Sequence, residues 1–182
     1  MAENNKHIVL GVTGSVAAYK SGDILRRLKD KGFKVTVVMT KAAEHFITPL
    51  TLSSLSRDEV YTDLFDTDVP AESMPHIDLA RDADLVLVAP ATANIIGKVA
   101  NGLANDLLSC VIMATQAPVV FAPAMNTQML KNNIVQENIA KLKANNIDFI
   151  DTTEGELACG EYGQGHLAEV DDIVDYIANK LK

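Results

Sequence analysis

Residues 7–20 read HIVLGVTGSVAAYK, and this stretch decides the fold. HIVLGV is a short apolar run that stops at Thr13-Gly14-Ser15, and it reads as a buried strand. Beyond it, Ile24, Leu25 and Leu28 fall on one side and Arg26, Arg27 and Lys29 on another. That spacing is helical, and Gly32 ends it. FKVTVVM (33–39) is β-branched and predicts a second strand. ADLVLVAP (83–90) and APVVFAP (117–123), each closed by proline, predict two more, and NIDFI (146–150) is a weaker fifth. Helical spacing recurs in Ala104, Leu107, Leu108, Val111 and Ile112, and in Val135, Ile139 and Leu142. It is clearest in the tail, where Val170, Ile173, Val174, Ile177, Ala178 and Leu181 form one stripe. Apolar strands alternating with helices predict a doubly wound α/β domain, a three-layered flavodoxin-like or Rossmann-like parallel sheet.

The bulk composition agrees. The chain has 182 residues, enough for one domain with a real core, expected to span 1–182. It is 48% hydrophobic and 22% charged, the profile of a soluble globular protein. A net charge of -8 argues against nucleic acid or an anionic membrane as the main partner. MAENNKH lacks a signal-peptide core, and no apolar run reaches membrane-spanning length. With two cysteines, Cys110 and Cys159, free thiols in the cytoplasm are the expectation.

The unusual residues gather where the predicted strands end. Thr13-Gly14-Ser15 follows the first strand and Thr40 the second; PATAN (90–94) and PAMN (123–126) follow the third and fourth long ones. In a parallel sheet these ends share one edge, and ligands bind there. Gly14 and Ser15 open a helix, where a missing Cβ and helical N–H groups would suit a phosphate; an ordinary strand-to-helix turn is the other reading. A mononucleotide such as FMN suits one helix end better than NAD, because the third glycine of the dinucleotide fingerprint is absent. Thr92 fits either a helix cap or a hydrogen bond to a flat heterocycle. Asn94 lies past the cap and is harder to explain as structure. Asn126 would suit a carboxylate or amide on a substrate, or else would satisfy its own loop backbone.

His76, in SMPHIDLARDAD, precedes the third long strand and could reach the edge as a general base; a surface or structural histidine is the alternative. His7, His45 and His166 have weaker claims. Cys110 sits on an apolar helix face as a small hydrophobe. Cys159 differs: GELACGEYGQGHL (155–167) surrounds it with glycine, which reads as a mobile, exposed loop.

Taken in order, GVTGSVAAYK, the HIDLA histidine, PATAN, PAMNTQM and ACGEYGQGHL resemble the flavin-dependent cysteine decarboxylases over nearly the whole chain. The resemblance implies FMN, with its phosphate on Gly14, Ser15 and Val16, helped by Thr40, and its ring against Thr92, Ala93, Asn94, Ile95 and Ala124. It implies His76 as catalytic base, Asn126 on the substrate carboxylate, and Met129, Ala158 and Gly160 beside the substrate. Cys159 would be the proton donor on a loop that closes over the site. The implied reaction oxidises a cysteinyl unit to a thioaldehyde, releases carbon dioxide and reduces the resulting enethiolate. The implied substrate is the phosphorylated cysteine conjugate of coenzyme A biosynthesis, 4'-phosphopantothenoylcysteine, converted to 4'-phosphopantetheine.

The alternatives are a peptidyl-cysteine decarboxylase, a flavin-binding regulatory subunit without catalysis and a flavodoxin-like electron carrier. The resemblance further implies homotrimers assembling into dodecamers, with the cofactor at a subunit interface. It also implies a phosphopantothenate–cysteine ligase, fused or separate, so the chain is expected to be a stand-alone enzyme or one domain of a fusion. Two positions depart from the pattern: His166 stands where arginine is more usual, and Ile95 where threonine is.

Overall fold

The computed structural model describes residues 6–65, 74–156, 160 and 162–182. Six parallel strands form its central sheet: β1 (His7–Val12), β2 (Lys34–Met39), β3 (Val60–Tyr61), β4 (Leu85–Ala91), β5 (Val119–Pro123) and β6 (Asp148–Phe149). Their order is β3-β2-β1-β4-β5-β6. The chain runs outward from β1 to one edge, returns to the centre at β4, and runs outward to the other. The crevice between the ends of β1 and β4 is therefore the topological switch point, where doubly wound sheets bind ligands.

Both faces of the sheet are covered, which is why its central strands read as continuous apolar runs. Along β1 the side chains alternate. Ile8, Leu10 and Val12 join one core with Ile24, Leu25 and Leu28 of α1 (Ser21–Asp30) and Ile173, Val174 and Ile177 of α8 (Val170–Lys180). Val9 joins the other, with Ile95, Ile96 and Val99 of α4 (Ala93–Ala100) and Leu107, Leu108 and Val111 of α5 (Leu107–Ala114). This period of two is the signature of a strand. Each such side chain, fully buried, contributes about 1.5–3 kcal/mol relative to exposure.

The remaining helices are α2 (Pro49–Ser56), α3 (Pro75–Asp82), α6 (Thr127–Lys131) and α7 (Asn133–Ala144). The predicted helix after Ser15 begins as a 3-10 turn, Val16–Lys20, before α1 takes over. Gly32 adopts a φ of 89°, the left-handed conformation that lets the chain leave α1.

One expectation is corrected. The glycine-rich segment read as a mobile loop contains strands of an antiparallel pair, β7 (Thr153–Glu156) with β8 (Tyr162–His166), while residues 157–159 and 161 lie outside the described residues. Its glycines serve close packing. The carbonyl of Gly165 accepts from Met125 N–H at 3.0 Å, and the Thr127 hydroxyl donates to the Gln164 carbonyl at 2.6 Å. A Cβ on Gly165 would collide with the Met125 carbonyl oxygen, and one on Gly163 would meet the Thr127 hydroxyl at 2.6 Å. Absent side chains thus let β8 lie against residues 125–127.

Candidate active site

A cavity of about 590 Å³ opens at the switch point. One end is formed by Thr13, Gly14 and Ser15 after β1 and by Thr40, Lys41 and Ala42 after β2. The other is formed by Thr92, Ala93, Asn94 and Ile95 after β4 and by Ala124, Met125 and Met129 after β5. Lys98 and Asp106 complete the lining.

Thr13 is the hub of the wall. Its buried hydroxyl donates to the Pro90 carbonyl at 2.7 Å and accepts from Thr92 N–H at 3.1 Å. One side chain thereby ties the end of β1 to the end of β4. Thr92 caps α4, accepting from Ile95 N–H at 3.5 Å, and also lines the cavity. Asn94 is exposed in the first turn of α4 and lines the cavity without serving as the cap.

Gly14 has an unexpected role. A Cβ there would meet the Ala42 Cβ at 2.5 Å and its carbonyl group at 3.0 Å. The glycine lets two loops of the wall touch each other. Ser15 caps the 3-10 turn, accepting from Ala17 N–H at 3.3 Å. Thr40 N–H donates to the Val12 carbonyl at 3.0 Å, holding the second loop against the first.

Of the other sequence-nominated residues, Val16 is exposed beside the cavity without lining it. Asn126 caps α6, accepting from Gln128 N–H at 2.7 Å, so the loop-satisfying reading of its oxygen holds. It lies between Met125, which lines the cavity, and Thr127, on which β8 docks. His76 sits half-buried in the first turn of α3, and the structure does not place it on the cavity lining. Exposed Met74 and Ile77 flank it. Gly160 is exposed with a φ of 81°. Ala158 and Cys159 lie outside the described residues.

Sequence reasoning missed Lys41, Ala42, Lys98 and Asp106, and it placed Thr13 and Met125 at the strand ends without giving either a role. Lys98 and Asp106 pair at 2.6 Å. Burial pushes the Asp106 carboxyl up, but the Lys98 ammonium and the Ser109 backbone and hydroxyl together hold it below the usual carboxylate range. Asp106 and Ser109 form a capping box, a signal for the start of α5 and not for a place on the cavity.

His7, Cys110 and His166 do not line the cavity. His7 is buried, with Nε2 2.8 Å from the Thr36 hydroxyl oxygen and Nδ1 3.1 Å from the Asp82 carbonyl oxygen. Burial and nearby Lys34 hold its pKa below the ordinary histidine value. The Cys110 thiol donates to the Ala104 carbonyl at 3.3 Å, and burial with nearby Asp106 pushes its pKa up, which suits an inert thiol. His166 is half-buried, with Nδ1 3.1 Å from the Leu167 carbonyl oxygen and its ring beside Gly155. Among the described residues, no helix is long and apolar enough to cross a membrane.

Comparison with known proteins places these features in context. The Flavoprotein family matches the chain over residues 1–182. The coenzyme A biosynthesis bifunctional protein CoaBC of Vibrio vulnificus is 50% identical over 164 residues, covering 90% of this chain and 41% of that protein. The chain thus spans well under half of such bifunctional relatives. A probable phosphopantothenoylcysteine decarboxylase of Streptococcus mutans is 44% identical over 178 residues, 97% of this chain and 99% of that one. Among solved structures, a cysteine-to-serine PPC decarboxylase variant complexed with pantothenoylaminoethenethiol superposes with a TM-score of 0.88 at 33% identity, covering 97% and 98% of the two chains. The FMN-binding protein AtHal3 gives 0.82 at 33% identity, covering 97% of each.

Proposed function

The chain belongs to the flavoprotein family, and from that premise we propose that it binds FMN and decarboxylates 4'-phosphopantothenoylcysteine to 4'-phosphopantetheine. The observation that carries the reading is the composition of the cavity at the switch point. Its hydroxyl-bearing end, Ser15 and Thr40, suits a phosphate, and its apolar wall of Ile95, Ala124, Met125 and Met129 suits a flat ring. Its volume, about 590 Å³, falls in the range of small-molecule sites. The full-length decarboxylase relative supports the substrate.

On this reading Gly14, Ser15 and Thr40 hold the phosphate of FMN, while Thr92, Ala93, Asn94 and Ala124 border its ring. Bound FMN supplies the oxidation and later reduction of the cysteinyl unit, so that only carbon dioxide is lost. The Asn126 amide nitrogen donates to the substrate carboxylate while its oxygen keeps the cap. His76 takes a proton from the substrate, and Cys159 returns one to carbon. The docking of β8 on residues 125–127 supports this division of labour, because β8 follows Cys159 closely in the sequence and packs on the loop that carries Asn126.

His76 reaches such a site only as part of an assembly. The exposed Met74 and Ile77 beside it, and exposed Val16, Tyr19 and Phe46, which follow the wall-forming loops in sequence, offer apolar surface for a second copy to cover. A homotrimer, or a dodecamer built from such trimers, is the expected state, and light scattering tests it. A phosphopantothenate–cysteine ligase, in the same polypeptide or separate, would supply the substrate in the cytoplasm.

Mass spectrometry of reactions with the phosphorylated conjugate and with a cysteine-ended peptide tests the activity. Loss of carbon dioxide from the conjugate is expected. Modification of the peptide alone would move the assignment to a peptide-modifying enzyme, and no reaction with either would refute the enzymatic reading. The His76→Asn variant is expected to keep FMN and lose turnover.

A further inference from the structure

A second cavity, of about 560 Å³, shares a wall with the first. Helix α6 stands between them: Met129 borders the first, and Leu130 and Lys131 border the second. The second cavity also takes in Gln164 of β8, Phe149 of β6 and Lys143 of α7.

Its described lining carries two lysines and one acid, in a chain of net negative charge. The chain carries 24 acidic and 16 basic residues. Lys31, Lys41, Lys98 and Lys180 each meet a carboxylate. Lys131 and Lys143 form no ion pair with a described residue, and they border a cavity whose one described acid is Asp151. The Lys143 ammonium is 5.7 Å from the centroid of the Phe149 ring, a cation–π contact that holds it at the wall. His166 of the hairpin does not line this cavity; its Nδ1 faces the Leu167 carbonyl.

Asn126 caps one end of α6 and Lys131 closes the other. Five residues at helical rise separate the ends by roughly 7.5 Å. A molecule whose carboxylate met Asn126 could extend along this helix into the second cavity. We propose that the cavity binds the phosphate monoester at the far end of the substrate, with Lys131 and Lys143 as its cations. The inference rests on the function proposed above.

The test compares kcat/KM for the phosphorylated conjugate with kcat/KM for its dephosphorylated form in the FMN-loaded full chain. The Lys131→Ala/Lys143→Ala variant is expected to lower this ratio about tenfold, the scale of a lost charge-assisted contact. Asp151→Asn is expected to raise it, since the repulsion is relieved; an effect on folding alone would not give opposite signs. A ratio unchanged in both variants overturns the proposal. Titration with inorganic phosphate at constant ionic strength, read by NMR at residues 131, 143 and 164, gives an activity-independent result. Shifts in the parent that disappear in the double-alanine variant support the site even if the parent turns over neither substrate, in which case only the functional reading fails. Absence of shifts overturns the site, and shifts with an unchanged ratio overturn its assignment to the substrate.

Discussion

Two glycine-bearing segments, one lining the switch-point cavity and one packed on the loop that follows β5, use glycine differently. In residues 13–15 the backbone has ordinary dihedrals, and Gly14 is small so that one loop can touch Ala42 of the next. In β8 two constraints combine at Gly165: a φ of 122° and a carbonyl oxygen where its Cβ would stand. The first segment builds a fixed wall, braced by Thr13. The second docks a separate two-stranded sheet onto the loop of Asn126. Sequence alone reads the first as a helix start suited to a phosphate and the second as a mobile loop, whereas the structure shows close contact in each.

Substitutions can break the comparison in order of severity. Gly165→Ala should have the largest effect, because strain and collision add: about 2–4 kcal/mol against docking of the hairpin. The Met125 amide, which donates to Gly165, should exchange faster with solvent; unchanged protection there would show that glycine is not required.

Gly14→Ala should cost about 1–3 kcal/mol by overpacking. Adding Ala42→Gly should recover part of that loss, and purely additive thermal-melt effects would deny the contact. Thr13→Val removes a buried donor and acceptor and should cost about 1–3 kcal/mol in denaturant unfolding. It should also loosen the ends of β1 and β4 more than the hairpin, which site-resolved hydrogen exchange can measure.

The smallest effect is remote from both segments. The His7 pKa is lowered in the folded state, so the unfolded chain binds the proton more readily. Its contribution is fully present above the ordinary value of about 6.5 and is lost as the pH falls below it toward the folded pKa. Stability should decline with acid over that interval, and His7→Gln should flatten the decline.

The fold was legible where a strand or helix announces itself locally. Four long strands, the α8 stripe and the ligand-bearing edge all follow from apolar patterning. The two-residue β3 was too short to show a period, and β8 was hidden because its residues are chosen for a neighbour's backbone instead of their own propensity. The wall was legible at Gly14, Ser15, Thr40, Thr92 and Asn94, which end strands or start helices. It was not legible at Lys98 and Asp106, which meet only when the turn between α4 and α5 closes. His76 shows the limit of reading from strand ends: the helix that carries it could be placed, but its distance from the cavity could not.

The most direct test of the central claim is the visible absorption spectrum of the purified chain, taken after incubation with FMN and removal of excess. Oxidised-flavin bands with about one FMN retained per chain are the expected result. A colourless protein that takes up no FMN would contradict the assignment of the switch-point cavity.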